Sequence, residues 1–175
     1  PRNEITGMPG YVELSRMLEE ELGRRKLIRA SLSVVLMEFL DFQGLVFAHS
    51  GVKALGLVKR AAEAATKGRN AFAFHYKEES QVAFLLPGVD RDGAAPFCLD
   101  ATQIVGSGPW ELDGESLRLE PAFGIASAGA SAAAVAEEAP DAALFLAEAE
   151  RILLLSRQAA AGHAAEPGGP EGGAA

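Results

Sequence analysis

Ser31 to Phe39, which reads Ser-Leu-Ser-Val-Val-Leu-Met-Glu-Phe, is the stretch that decides the fold of this sequence. Nearly every position is apolar, so the stretch lacks the alternation of apolar and polar residues that marks a strand with one face in water. A strand that is covered on both faces has this composition. We therefore predict a central strand here, with other elements packed on both sides of its sheet.

Two amphipathic helices flank this strand, one before it in residues 11–25 and one after it that ends at Lys67-Gly68. Their apolar positions recur every three or four residues, at Tyr11, Leu14, Leu18 and Leu22 in the first helix and at Val52, Leu55, Val58, Ala62 and Ala65 in the second. A polar, glycine-containing stretch from Asp41 to Gly51 separates the strand from the second helix.

A β-hairpin follows the second helix. Its strands are Ala71–Tyr76 and Gln81–Leu86, and the four residues 77–80 between them are a connection of hairpin length. Ala94 to Val105 then predicts a short helix that is interrupted at Pro96, because proline lacks the backbone N–H that a helix interior uses.

A second hairpin is predicted in Trp110–Leu119, where Asp113-Gly114 suits a two-residue type I′ turn. We expect its second strand to continue to Ile125. Pro140-Asp141 begins a final helix. The apolar positions that we expect to face the core are Leu144, Phe145, Ile152 and Leu155.

This order of elements predicts an α/β (α+β) fold with a palm-like layout, in which helices cover both faces of a central, mostly antiparallel sheet. We expect one domain over residues 1–160. Residues 161–175 are mostly Gly, Pro and Ala without any large apolar residue, so we expect them to form a disordered tail. Because the sequence begins with Pro1 and not with Met, we expect further domains before it.

The net charge of the chain disfavours some classes of binding partner. The chain has 16 basic and 24 acidic residues, a net charge of −8, and a pI of about 4.9. An acidic chain repels phosphate on average, which disfavours nucleic acid and an anionic membrane as partners. No signal peptide and no apolar run long enough to cross a bilayer is visible. We therefore expect a cytoplasmic domain.

Metal and nucleophile motifs are also absent from the sequence. The three histidines His49, His75 and His163 are scattered, and Cys98 is the single cysteine, so neither type predicts a metal site or a disulfide. There is no Gly-x-Ser-x-Gly and no phosphate-binding loop with a following lysine. We expect no catalytic residue, no metal and no cofactor.

Five segments together resemble the GGDEF domains, the diguanylate cyclases of bacterial signalling, from Asn3 to about Gln158. These segments are Asn3–Pro9 (Asn-Glu-Ile-Thr-Gly-Met-Pro), Val34–Phe42, Val82–Pro87, Leu117–Ala126 with its Ala-Phe-Gly-Ile-Ala ending, and Ala149–Arg157 in the final helix. The resemblance implies the GGDEF palm-like fold and a chemistry in which two GTP molecules are joined with the help of divalent metal ions.

The residues at the family's metal and guanine positions differ here. The first metal-binding Asp of the family matches Glu38, which could still bind Mg²⁺ through its longer side chain, and the second falls on Leu40, which cannot. The Asn and Asp that read guanine fall on Val46 and Leu55. Leaving a hydrogen-bonding group of the base unpaired costs about 1–3 kcal/mol.

The family's Gly-Gly-Asp-Glu-Phe signature matches Glu78-Glu79-Ser80-Gln81-Val82, counted back from Pro87. A shift by one residue restores none of it. The two glycines let the backbone turn tightly beside the nucleotide, whereas Glu78 and Glu79 add bulk and negative charge next to a phosphate site. The catalytic Glu becomes Gln81, or Ser80 in the shifted register. The resemblance therefore implies a domain that is not an enzyme.

Two arginines match binding positions of the family. Arg69 matches the Arg-x-x-Asp of its product-inhibition site, although Phe72 stands at the Asp position. Arg157 matches the phosphate-contacting Lys of the final helix, but a solvated charge near a helix C-terminus explains it as well. Glu38, Arg69 and Arg157 are thus the vestigial candidates for nucleotide contact.

Two functions remain open at this point. The first is a catalytically inactive regulatory or scaffold domain of a bacterial signalling protein, which acts through contacts with a protein partner or with other domains of the same chain. The alternative is a non-catalytic sensor that binds GTP or cyclic di-GMP. The sequence leaves open whether the domain forms a homodimer.

Overall fold

The computed structural model describes residues 2–108, 110–130 and 141–165. Within them the chain forms five helices and six strands. In chain order these are α1 (Tyr11–Ile28), β1 (Leu32–Phe39), α2 (Phe42–Ala48), α3 (Gly51–Thr66), β2 (Phe72–His75), β3 (Gln81–Pro87), α4 (Arg91–Gly106), β4 (Trp110–Leu112), β5 (Glu115–Leu117), β6 (Pro121–Ala128) and α5 (Ala142–Ala165).

The main sheet has the strand order β2-β3-β1-β6, and every neighbouring pair is antiparallel. β1 is the central strand and pairs with β3 from Leu32 opposite Pro87 to Glu38 opposite Gln81. All eight of its residues are buried. The predicted central strand and the mostly antiparallel sheet are therefore confirmed.

Helices lie on both faces of this sheet, as the composition of β1 predicts. Val35, Met37 and Phe39 belong to a core with α2, α3, α4 and the β4–β5 hairpin. The residues of opposite parity, Val34 and Leu36, belong to a second core with α1 and α5. Because successive side chains of a strand point to opposite faces, both parities of β1 have to be apolar.

The contact between α5 and β6 depends on a glycine. A Cβ atom at Gly124 would lie 2.0 Å from the carbonyl oxygen of Ala149 and 2.7 Å from the backbone nitrogen of Leu153. Only a residue without a side chain allows the backbone of α5 to approach the sheet this closely. Gly124 therefore sets the depth at which the final helix lies.

Three elements between the central strand and the last strand differ from the sequence predictions. The stretch 41–51 contains the short helix α2. α4 continues through Pro96, which is exposed, because buried Phe97 and Ala101 hold the helix against the core. β5 does not continue to Ile125, because it pairs with β4 in a separate two-stranded sheet and β6 begins anew at Pro121.

The turn of the second hairpin agrees with its prediction. Asp113 and Gly114 both have positive φ, at 53° and 78°, as a type I′ turn requires.

The buried face of α5 also differs from the one predicted. Phe145 is buried as expected, but Leu144 is 63% and Leu155 52% exposed. The residues that face the sheet include Ala149 and Leu153, because the helix is centred on Gly124 and a small residue is needed there. α5 continues to Ala165, past the predicted domain boundary at 160, and residues 166–175 lie outside the described part of the chain.

The N-terminal segment is fastened to the edge of the sheet by His75. The His75 backbone N–H donates to the Pro9 carbonyl at 2.8 Å, and the His75 Nε2 atom lies 2.5 Å from the Thr6 hydroxyl. Burial lowers the pKa of His75, and the nearby Glu79 carboxylate opposes this shift without cancelling it.

None of the helices in the described part of the chain is both long and apolar enough to span a membrane.

Replacing Gly124 by alanine should destabilise the protein by at least about 1–3 kcal/mol, the usual cost of overpacking a core. Urea unfolding followed by circular dichroism measures the change. Gly56→Ala in α3 is the matched control, because a Cβ at Gly56 meets nothing within 4 Å and alanine favours a helix interior by up to about 1 kcal/mol. Equal stabilities of the two variants would refute the assigned role of Gly124.

The stability of the protein should fall between pH 7 and pH 5.5 partly because of His75. Its folded pKa lies below the unfolded value of 6.5, so the unfolded chain binds the proton first and stability is lost as the pH falls through that value. Unfolding free energies measured in urea across this range should show a flatter slope in His75→Gln than in the natural sequence. Identical slopes would contradict the prediction.

Candidate functional site

A buried carboxylate lies at the C-terminal end of the central strand. Glu38 is only 7% exposed, and the sheet register places it between Gln81 of β3 and Ala122 of β6. Arg157 of α5 approaches from above the sheet, with its Nε atom 2.8 Å from Glu38 Oε2. The sequence candidates Glu38 and Arg157 are thus brought together.

The other carboxylate oxygen of Glu38 is also occupied. Gln81 Nε2 donates to Glu38 Oε1 at 3.4 Å and the Ser80 hydroxyl donates to the same oxygen at 3.3 Å. A buried charge is costly unless it is paired and hydrogen-bonded. The guanidinium supplies the opposite charge and the two donors bond to Oε1, whereas Oε2, which faces the guanidinium, makes no hydrogen bond with the described residues.

Two observations bear on whether Glu38 could hold a metal ion. Leu40 packs against the core that contains α1 and α5, and within the described residues no group of three or more His, Cys, Asp or Glu side chains could hold a metal. Arg157 forms this ion pair although its own side chain is 46% exposed to solvent. The Arg157 guanidinium places a positive charge from the chain itself next to the Glu38 carboxylate.

The turn that matches the family's signature closes without glycine. The Gln81 backbone N–H donates to the Glu78 carbonyl at 3.0 Å, and the Glu78 N–H donates to the Gln81 side-chain oxygen at 3.2 Å. None of residues 77–80 has a positive φ, so side chains are accommodated at every position. Glu78 and Glu79 are exposed.

A groove of about 490 Å³ runs between this turn and α5. Three basic side chains line it, and each is paired with a carboxylate: Lys77 with Glu150 at 2.7 Å, Arg151 with Glu148 at 2.8 Å, and Arg157 with Glu38. Each basic side chain that lines the groove thus lies against a carboxylate, while its own exposure remains between 46% and 59%.

Glu150 is the centre of a second network in this groove, one that the sequence reasoning missed. The Tyr76 hydroxyl donates to Glu150 Oε1 at 2.5 Å. Burial raises the pKa of Tyr76 well above its usual range, and the Glu150 carboxylate adds to the shift. Burial acts to raise the pKa of Glu150 too, but the hydrogen bonds from Lys77 and Tyr76 hold it below its usual value. Tyr76 therefore stays protonated and Glu150 ionised, which locks the turn to α5.

The guanine-reading positions are filled with apolar side chains. Leu55 is 3% exposed in the core, and Val46 packs against the same core from α2. Phe47, by contrast, is 96% exposed at the end of α2. The region that the family uses to read a base is here partly a packed core and partly an apolar surface.

Arg69 does not join Glu38 and Arg157. It lines a pocket of about 270 Å³ near Pro87, at the opposite end of β3 from Gln81. Its guanidinium is paired with Asp100 of α4 and lies 5.4 Å from the centre of the Phe97 ring. Sequence spacing could not reveal Asp100 as its partner, because the pair joins residues 31 positions apart.

The comparisons with known proteins rest on structure. No protein-family model matches this chain, and no curated protein matches it significantly. Among solved structures, the GGDEF domain of FimX from Pseudomonas aeruginosa superposes with a TM-score of 0.77 at 16% identity, over 90% of this chain and 94% of that one.

Two further solved structures are similar. The diguanylate cyclase SiaD from Pseudomonas aeruginosa, in complex with its activator SiaC, has a TM-score of 0.77 at 16% identity over 90% of this chain and 58% of that one. The GGDEF domain of DgcB from Caulobacter crescentus, in complex with c-di-GMP, has a TM-score of 0.76 at 12% identity over 90% of both chains. Identities this low establish the fold alone, and by its fold this chain is a GGDEF-like domain.

Proposed function

We propose that this chain is a catalytically inactive GGDEF-like domain, a regulatory or scaffold module of a cytoplasmic bacterial signalling protein that acts through protein contacts. The observation that carries the proposal is the ion pair between Arg157 and Glu38. It occupies the one buried carboxylate of the site with a cation from the chain itself.

The chemistry of a cyclase explains why this matters. Joining two nucleoside triphosphates requires divalent ions that hold the phosphates and stabilise both the attacking and the leaving oxygen. Mg²⁺ is bound through one or two carboxylates together with substrate phosphates. Here Glu38 is shared by Arg157, Gln81 and Ser80, Leu40 has no ligand atom, and the groove's basic side chains already have partners.

Two observations support a role in protein contacts. Both hydrophobic cores are well formed, although the positions that the resemblance assigns to nucleotide contact carry other side chains. Large apolar side chains also lie on the surface, among them Phe47 at 96% and Val52 at 61% exposure. The diguanylate cyclase SiaD, 58% of which this chain covers, is in complex with its activator SiaC.

The alternative function, a sensor of GTP or cyclic di-GMP without turnover, is supported by the Arg69 pocket. Its arginine lies beside the Phe97 ring, and a planar base could stack on such a pair. The GGDEF domain of DgcB has been solved in complex with c-di-GMP. Against this function, Arg69 is already paired with Asp100 and Phe72 takes the place of the family's Asp.

The purified chain should not convert GTP into a dinucleotide in the presence of Mg²⁺ or Mn²⁺, because no pair of metal ions can be held at Glu38. Chromatography of the reaction mixture, with an active diguanylate cyclase assayed in parallel, measures the product.

Calorimetric titration with GTP plus Mg²⁺ and with cyclic di-GMP separates the two proposals. Saturable heat with either ligand, abolished by Arg69→Ala or Arg157→Ala, would favour the sensor, and measurable turnover would refute both.

A partial repair of the site should also fail to produce a cyclase. The triple variant Leu40→Asp, Glu78→Gly, Glu79→Gly restores a carboxylate and two glycines, but Gln81 stays neutral and Arg157 still occupies Glu38. Residues that act as a unit are strongly non-additive, so a partial repair recovers little rate. The same chromatographic assay tests this after circular dichroism has shown that the variant folds. A dinucleotide product would contradict the assignment of these positions.

A further inference from the structure

The C-terminal end of α1 carries exposed basic and aliphatic side chains that the fold does not use. The basic–aliphatic patch consists of Arg24, Lys26, Leu27, Ile28 and Arg29. Leu27 is 86% and Ile28 57% exposed, and the three basic residues are exposed as well. Residues 22–37 contain four basic residues and no carboxylate, in a chain that has 24 acidic residues.

Local structure explains only part of this composition. Basic residues are favoured at a helix C-terminus, and Arg24 lies 3.9 Å from the Glu21 carboxylate. Neither effect accounts for two adjacent aliphatic residues in water. Rotation of the helix cannot bury them, because Leu22 and Arg25 occupy its inward face at this end. The exposure of Leu27 and Ile28 is therefore a fixed property of the fold.

We propose that the basic–aliphatic patch is a docking surface for an anionic lipid bilayer. Aliphatic side chains that flank basic ones are suited to the interface between headgroups and acyl chains, where the cations contact lipid phosphates. The patch consists of five residues within the span 24–29, at the C-terminal end of α1. A specific protein interface needs about 800 Å² and some 20–30 residues on each partner, whereas a fluid bilayer adapts to a small surface.

The net charge of −8 does not prevent this contact. At physiological salt, charges are screened beyond about 8–10 Å, so the bilayer responds to the charges nearest to it. Glu21 lies 3.9 Å from Arg24 and offsets part of its charge, whereas Glu20 precedes Leu27 by seven residues, or roughly 10 Å along the helix axis. The proposal therefore rests on the local charges of Lys26 and Arg29 and not on the average over the chain, which disfavours an anionic membrane.

Vesicle sedimentation with the full 175-residue chain tests the proposal. The chain should pellet with vesicles of equal parts phosphatidylcholine and phosphatidylglycerol at an ionic strength of about 0.1 M, and should stay in solution with phosphatidylcholine alone. The triple variant Arg24→Gln, Lys26→Gln, Arg29→Gln should lower binding by roughly fivefold for each lost charge. Leu27→Ser with Ile28→Ser should weaken it as well, with the charge unchanged.

A matched control removes the same number of charges and aliphatic groups elsewhere. Arg16→Gln, Lys59→Gln and Arg118→Gln form the charge control, and exposed Leu144→Ser with Leu155→Ser forms the aliphatic control. Both should bind as the natural sequence does, and thermal unfolding should show that all variants fold. Absence of sedimentation with the anionic vesicles, equal sedimentation with both lipids, or equal losses in patch and control variants would overturn the proposal.

Discussion

The close approach of α5 to Gly124 is the contact on which the rest of this structure depends. Gly124 pairs with Leu36 in the middle of the central strand, and Leu153 of the helix lies directly against it. One helical turn further along α5 is Arg157, and two residues further along β1 is Glu38. Both steps advance by about 6 Å, so the depth of the helix is what brings the guanidinium to the carboxylate.

Glu38 and Arg157 are then stabilised mutually. A glutamate buried in a central strand without a counter-charge would destabilise the protein by several kcal/mol. An unpaired Arg157 would not, because its side chain is partly in water. The ion pair gives Glu38 a counter-charge within the fold, and Ser80 and Gln81 donate hydrogen bonds to its Oε1 atom. The Oε2 atom makes no hydrogen bond with the described residues. Glu38 thus has a counter-charge that comes from the chain itself.

The groove beside α5 and the C-terminal end of α1 differ in how many of their basic side chains are paired with carboxylates. In the groove beside α5, every basic lining residue has a carboxylate partner. At the end of α1, Lys26 and Arg29 are exposed next to Leu27 and Ile28. Interaction with other molecules is therefore easier to explain at the helix end than in the groove, although the groove is the larger concavity.

The sequence by itself determined the central strand, the antiparallel sheet and the helices on both faces, because an apolar run such as Leu32–Phe39 is stable only when both of its faces are covered. Its resemblance to GGDEF domains also singled out Glu38 and Arg157 as candidates. It could not determine that α4 passes through Pro96, or which side of α5 faces inward, because packing against the sheet overrides local preference there.

Only the tertiary structure decided what those residues do. Glu38 and Arg157 are 119 positions apart, and no spacing rule links them until Gly124 has fixed the depth of α5. Arg69 and Asp100, or Tyr76 and Glu150, are partners for the same reason. Local patterns along a chain determine elements and faces, whereas the pairing of distant charges depends on helix position to within a few ångströms, which is a property of the packed molecule.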